Sequence, residues 1–137
     1  MGHITLHAAH KAMTAMLERV KTDGGLPVAL CVVDATGVMI AFARMDTVPE
    51  RIVAIVTGKA YTAARMRKST AAFRARLREG DMTLADFCDA GLTSLPGGAP
   101  VVVGGVFCGA VGVSGRKLED DNTLAEAFAA AVAEYLG

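Results

Sequence analysis

The sequence predicts an α+β fold: a single antiparallel sheet built from two hairpins, with long N- and C-terminal helices and further helices inserted in the middle. Valine-rich hairpins lie near residues 28–45 and 100–114. The segments before, between and after them carry apolar residues at helical spacing. Because a chain of 137 residues can bury one core, we expect a single domain over residues 1–137.

The first helix should begin after Thr5, a suitable N-cap, and run to about Lys21. Its apolar stripe is Leu6, Ala9, Met13, Met16, Leu17 and Val20, with His10 on that stripe and His7 on its flank. Residues 28–34 and 38–45 form the first hairpin. Neither strand alternates, as is typical of strands covered on both faces. We therefore expect helices on one face and a neighbouring subunit on the other.

The middle of the chain is helical. Residues 46–49, Asp-Thr-Val-Pro, are typical of a helix start and predict a helix to about Arg67. An inward stripe of Ile52, Ile55, Val56 and Ala63 places Lys59 on the buried side. Ser69 or Thr70 should cap a third helix through Leu77, and a short helix is predicted over residues 83–88.

The last third supplies the second hairpin and the C-terminal helix. Residues 90–100 read as a loop, and strands over 100–103 and 106–114 turn at Gly104 and Gly105. The acidic residues 119–121 suit a helix N-terminus. This helix should run to Leu136 and bury Leu124, Phe128, Val132 and Tyr135.

Composition limits the classes of function. Formal charges cancel, so no global field favours nucleic acid or an acidic membrane. Six cations at residues 65–78 have only Phe73 as an aromatic neighbour, which favours a solvated face or a subunit contact over a nucleic-acid surface. No apolar run is long enough to span a membrane. The three cysteines without paired spacing, and the lack of a secretory signal, predict reduced thiols and a cytoplasmic location. With 53% hydrophobic residues, we expect a homo-oligomer.

Four side chains are candidates for chemistry. His10 is either a satisfied core histidine or an axial ligand of haem, because haem needs one imidazole in an apolar slot. Lys59 either extends its charge to solvent, pairs with Asp46 or Asp34, or meets an anionic ligand. Ser114 ends a strand and either caps the next turn or faces a pocket. Arg44, also at a strand end, forms a surface ion pair or holds a carboxylate.

Two familiar motifs are incomplete, and one metal site lacks a ligand. The segment Gly112-Val113-Ser114-Gly115-Arg116 lacks the final glycine of a nucleophile elbow. Glycines at 109, 112 and 115 do not match the dinucleotide fingerprint. A zinc site at His7 and His10 has no third ligand at motif spacing.

Several segments together resemble the GlcG/HbpS-like family, described as haem-binding or haem-degrading, and the C-terminal domain of PduO-type corrinoid adenosyltransferases. The segments are Val32-Val33-Asp34 with Gly37, Ala43-Arg44-Met45-Asp46, Lys59-Ala60-Tyr61-Thr62-Ala63, Pro96-Gly97-Gly98-Ala99-Pro100, and residues 109–115 with Asp121. The resemblance covers the chain from about Leu6 to its end. It implies a profilin-like domain assembled as a dimer, tetramer or octamer, and a ligand site that in some members takes haem through a helix histidine, here His10.

Two functions follow as hypotheses. In the first, a cytoplasmic homo-oligomer binds a small ligand, with haem or another tetrapyrrole on His10 and its carboxylates on Arg44 or Lys59. In the second, an enzyme acts on a small anionic metabolite, such as a hydroxy acid or a catabolic intermediate. Its Arg44 would clamp the carboxylate, and Lys59 or His10 would serve as acid–base. Ser114 and the amides of Gly97 and Gly98 would face the reacting oxygen.

Tyr61, in the matching segment 59–63, completes the candidate ligand-binding residues. Both hypotheses require Arg44, Lys59, Ser114 and His10 to surround one hollow. If the hollow is filled by the chain's own side chains, a pure assembly module without a ligand is the remaining interpretation.

Overall fold

The computed structural model describes residues 2–137 and shows a four-stranded antiparallel sheet with helices on both faces. The helices are α1 (Leu6–Thr22), α2 (Ile52–Met66), α3 (Thr70–Glu79) and α4 (Leu118–Leu136), and a 3₁₀ turn spans Leu84–Phe87. The strands are β1 (Ala29–Asp34), β2 (Met39–Arg44), β3 (Gly98–Val103) and β4 (Val106–Ser114). The predicted α+β, profilin-like class is confirmed. Within residues 2–137, no helix is long and apolar enough to cross a membrane.

The two hairpins join through their inner strands, in the order β2-β1-β4-β3. Ala29, at the start of β1, pairs with Arg44 on one side and with Ser114 on the other. Three strand ends therefore meet in one row across the sheet. This row places the end of β4 beside the chain segments that enter α2 and α4.

The inner strand β1 is buried on both faces. Val28, Leu30 and Val32 pack into the core formed with α1 and α4. Cys31 and Val33, on the other face, pack against α2. A neighbouring subunit is therefore not needed to cover β1, because the chain's own α2 occupies this face.

The local capping signals are confirmed for two helices and fail for a third. Thr5 Oγ1 accepts a hydrogen bond from the Ala8 amide at 3.1 Å, and Ser69 caps α3 in the same way. By contrast, α2 starts at Ile52, after residues 46–49, and no side chain caps it. Thr47 has a left-handed φ of 73°, so this segment is a loop rather than the predicted first turn.

A glycine on β4 lets α2 approach the sheet closely. A Cβ at Gly112 would lie 2.5 Å from the Val56 carbonyl oxygen and 2.9 Å from the Ala60 nitrogen. Real Cβ atoms essentially never come so near, so only glycine fits here. The close approach brings Lys59, one residue before Ala60, onto the end of β4.

Candidate functional site

Lys59 is fully buried, with 0% of its side chain exposed, and all three of its protons have acceptors. Its Nζ donates to the Val113 carbonyl oxygen at 3.1 Å, to Ser114 Oγ at 3.2 Å and to Asp121 Oδ2 at 3.0 Å. Neither the predicted solvent contact nor the predicted pairing with Asp46 or Asp34 is found. Asp34 instead accepts bonds within its own turn, at the far end of β1.

Asp121 holds this ion pair at the start of α4 and is 1% exposed. Its Oδ1 also accepts the backbone N–H of Arg116 at 3.0 Å. Burial lowers the pKa of Lys59 and raises the pKa of Asp121, and their mutual attraction opposes both shifts. Lys59 and Asp121 therefore form an ion pair that the fold holds away from water.

A second ion pair lies closer to the surface. The guanidinium of Arg116 binds both carboxylate oxygens of Asp23 at 2.7 Å and donates to the Leu26 carbonyl. The hydrogen bonds from Arg116 lower the pKa of Asp23 to about 2. This pair ties the end of α1 to the segment between β4 and α4.

A cavity of about 530 Å³ lies beside the two ion pairs, at the starts of α2 and α4. Lys59, Ser114 and Asp121 form part of its wall, with Arg51 and Arg116. Its apolar walls are Leu26, Pro27, Val48, Pro49, Ile52, Ile55, Leu95 and Leu118. The size suits a small molecule, and mostly apolar walls with few polar groups are typical of ligand sites. Ser114 therefore lies on the wall of a cavity, which is the second of the two interpretations of its strand-end position.

Three other predicted residues do not line this cavity. Arg44 is exposed at the end of β2. Tyr61 lies two residues after Lys59 and points elsewhere, because its hydroxyl donates to Asp89 at 2.7 Å. The amide of Gly98 already donates to Thr70 Oγ1 at 2.9 Å, so it does not face a reacting oxygen.

Gly97 packs beneath the lysine instead of facing the cavity. A Cβ there would lie 2.8 Å from Lys59 Nζ. The glycine therefore makes room for the buried ammonium, and the predicted role of its amide toward a reacting oxygen stays without support.

His10 is exposed rather than part of the apolar stripe of α1. The buried face consists of Ala8, Ala9, Ala12, Met13, Met16 and Val20. His10 lies outside this face. His10 is not among the residues that line the cavity, and neither is any other residue of α1. The expectation that His10 shares a hollow with Lys59 and Ser114 was wrong.

Sequence reasoning missed the role of Asp121. Asp121 was interpreted only as part of a favourable helix start and of the family resemblance, without a partner, and its neighbours Glu119 and Asp120 are exposed. The available signal was helical phase: Asp121 precedes Leu124, Ala125 and Phe128 by three, four and seven residues, and all are buried. A buried acid on that stripe requires a buried cation.

The fold and the cavity define an α+β protein with a buried ion pair beside a space of small-molecule size. Residues 4–130 match the model of a family described as haem degrading protein HbpS-like. The chain therefore belongs to the HbpS-like family, as the sequence segments predicted.

Similar proteins agree with this membership. The chain is 36% identical over 129 residues to an uncharacterized 15.0 kDa protein of Citrobacter freundii, covering 90% of this chain and 87% of the relative. It is 41% identical over 88 residues to protein GlcG of Escherichia coli K12, covering 64% of this chain and 63% of GlcG.

Solved structures show the same fold. The crystal structure of HbpS superimposes with a TM-score of 0.84 at 33% identity, covering 95% of this chain and 90% of that one. The crystal structure of a PduOC:heme complex superimposes with a TM-score of 0.82 at 25% identity, covering 94% of each chain.

Proposed function

We propose that this protein binds a small ligand and that haem, or another tetrapyrrole, is the ligand on α1. The exposed imidazole of His10 carries this proposal, since an axial ligand must be accessible. The family description and the haem complex of the PduOC neighbour support the ligand class.

The residues present fit haem on α1 better than in the cavity. Among residues 2–137, those lining the cavity include no His, Cys, Met or Tyr, and the protons of Lys59 are already bonded. On α1, His10 would supply the axial nitrogen and Leu6, one turn earlier and 64% exposed, an apolar contact. Bound haem would supply a redox-active iron with a protein imidazole as its axial ligand.

Hemin titration tests this proposal with a matched control. His7, three residues earlier on α1, is also exposed, so His7→Ala removes a similar surface imidazole. We expect a Soret band with saturating behaviour in the wild type and in His7→Ala, and its loss in His10→Ala. Equal hemin binding by the wild type and both variants would show that His10 is not the haem ligand.

We also propose a cytoplasmic homo-oligomer of even subunit number. Large apolar side chains remain exposed on this chain, among them Leu26 at 66% and Val38 at 62%. Their burial between copies would be favourable. Light scattering after size exclusion should give two, four or eight times 14.2 kDa. A single 14.2 kDa species at micromolar concentration would contradict this.

A second candidate function belongs to the cavity: binding, or turnover, of a small anionic metabolite. The specific observation is the polar wall of Lys59, Ser114 and Asp121. Arg51 also lines the cavity, so Arg51 rather than Arg44 is the candidate to hold a carboxylate there. If the cavity also catalyses a reaction, Ser114, whose hydroxyl contacts Lys59, would be the catalytic residue.

Amide NMR with simple anions tests the cavity. Acetate or inorganic phosphate, titrated into ¹⁵N-labelled protein, should shift the amide resonances of Arg51, Ser114 and Arg116. Shifts confined to other regions would contradict an anion site in this cavity.

A further inference from the structure

We infer that the cavity takes a monocarboxylic acid with an apolar body, and that Ser114 recognises the carboxylate as a hydrogen-bond donor. This inference rests on the second proposed function, an anion site in the cavity. Three observations carry it: the unused proton of Ser114, the charge balance of the wall, and the apolar surface of the remaining wall.

The hydroxyl of Ser114 has a proton to donate. Its Oγ accepts a hydrogen bond from Lys59, and a lysine ammonium can only donate. The serine proton must therefore point away from Lys59, and within residues 2–137 Ser114 Oγ donates to no protein atom. The side chain is only 3% exposed and lines the cavity. A buried donor needs an acceptor, and the cavity is where a ligand oxygen can supply it.

The charges around the cavity leave one unbalanced cation. Lys59 is paired with Asp121, and Arg116 with Asp23. Arg51 also lines the cavity, and across residues 2–137 its guanidinium has no ion pair. A single uncompensated positive charge favours a monoanion over a doubly charged phosphate. A planar guanidinium also matches a carboxylate well.

The rest of the wall is apolar. Eight of the lining residues, from Leu26 to Leu118, present aliphatic or proline side chains. A ligand that fills this space must bring apolar surface of its own, because polar atoms placed there would lose their water. The structure therefore favours a carboxylate at Ser114 and Arg51 with a hydrocarbon body over Ile52 and Ile55.

Calorimetric titration with hexanoate and hexan-1-ol tests the inference. The two probes share an apolar body, and only hexanoate carries the carboxylate. We expect hexanoate to bind and the alcohol to bind at least about 10-fold more weakly, since hydrogen bonds to charged groups are worth about that factor or more.

Variants of the wall make the test specific. Ser114→Ala should weaken hexanoate binding about 10- to 100-fold, whereas Ser114→Thr, which keeps a hydroxyl, should retain binding. Arg51→Gln should weaken it too. Arg44→Gln is the matched control: Arg44 is exposed, as Arg51 is, but it lies outside the cavity, so its substitution should leave the Kd unchanged.

The outcomes distinguish this inference from the second proposed function, the anion site on which it rests. If hexanoate and hexan-1-ol bind equally, or Ser114→Ala and Arg51→Gln bind like the wild type, carboxylate recognition by Ser114 is wrong. If acetate and phosphate still shift the Arg51 and Ser114 amides in that case, the anion site itself stands. If no anion perturbs those amides, the anion site fails as well.

Discussion

Replacing Lys59 by methionine should destabilise the protein strongly. The lysine is 0% exposed and Asp121 is 1% exposed, so the substitution leaves a carboxylate buried without its cation. Breaking a buried ion pair by removing one partner costs about 3–5 kcal/mol of unfolding free energy. Ser114 Oγ and the Val113 carbonyl would also lose their donor, so we expect the upper part of that range.

The double variant Lys59→Met/Asp121→Leu isolates the reason for this loss. It removes both charges and leaves no uncompensated ion, and replacements of this kind often leave the free energy of unfolding unchanged. The Arg116 amide would lose its acceptor, at a cost of about 1–3 kcal/mol. We therefore expect the double variant to be more stable than Lys59→Met alone.

Urea unfolding followed by circular dichroism measures both variants, with unchanged m-values as the condition for comparing them. A loss below about 1 kcal/mol in Lys59→Met would refute the buried-charge reasoning, since breaking a pair of this kind costs about 3–5 kcal/mol. Additive losses in the double variant would refute it equally, because they would show that the two side chains do not interact.

Two further predictions concern backbone fit and pH. Gly112→Ala should lower the free energy of unfolding, measured in urea, by about 1–3 kcal/mol or more, because its Cβ would lie 2.5 Å from the Val56 carbonyl oxygen. Gly58→Ala, inside α2, should raise the free energy of unfolding by about 0.5–1 kcal/mol, because its added Cβ would have no neighbour nearer than 3.6 Å. If both substitutions stabilised the protein, the close approach of α2 to the sheet would be contradicted. The hydrogen bonds of Arg116 lower the pKa of Asp23 from 3.8 to about 2, so this pair stabilises the fold fully above about pH 4 and loses its effect as the pH falls through 2. Thermal melts should therefore show Asp23→Asn below the wild type at pH 6, with the difference in melting temperature shrinking as the pH approaches 2 and vanishing below it. A difference that stays constant with pH would contradict the pairing.

The secondary structure could be predicted from local signals. Thr5 and Ser69 mark helix starts through their own side chains, and the glycine turn at 104 and 105 marks the second hairpin. The start of α2 could not be placed in this way. Its first residues follow a loop that begins beside the start of β1, where the Met45 amide donates a hydrogen bond to the Val28 carbonyl, a contact between residues far apart in the sequence.

The candidate site could be predicted only in part. Helical periodicity placed Lys59 on a buried face, and the strand end placed Ser114 beside the following turn. The partner of Lys59 lies 62 residues away in the sequence, and the two meet because α2 packs on β4, which leads directly into α4. His10 was misplaced because alanines count weakly as apolar residues, although Ala8, Ala9 and Ala12 define the buried face of α1.

A crystal structure of the protein with hexanoate tests the cavity account most directly. We expect the hydrocarbon chain over Ile52 and Ile55, and one carboxylate oxygen about 2.5–3.0 Å from Ser114 Oγ. Hexanoate bound elsewhere, or a cavity closed by the chain's own side chains, would contradict the account and leave the assembly interpretation.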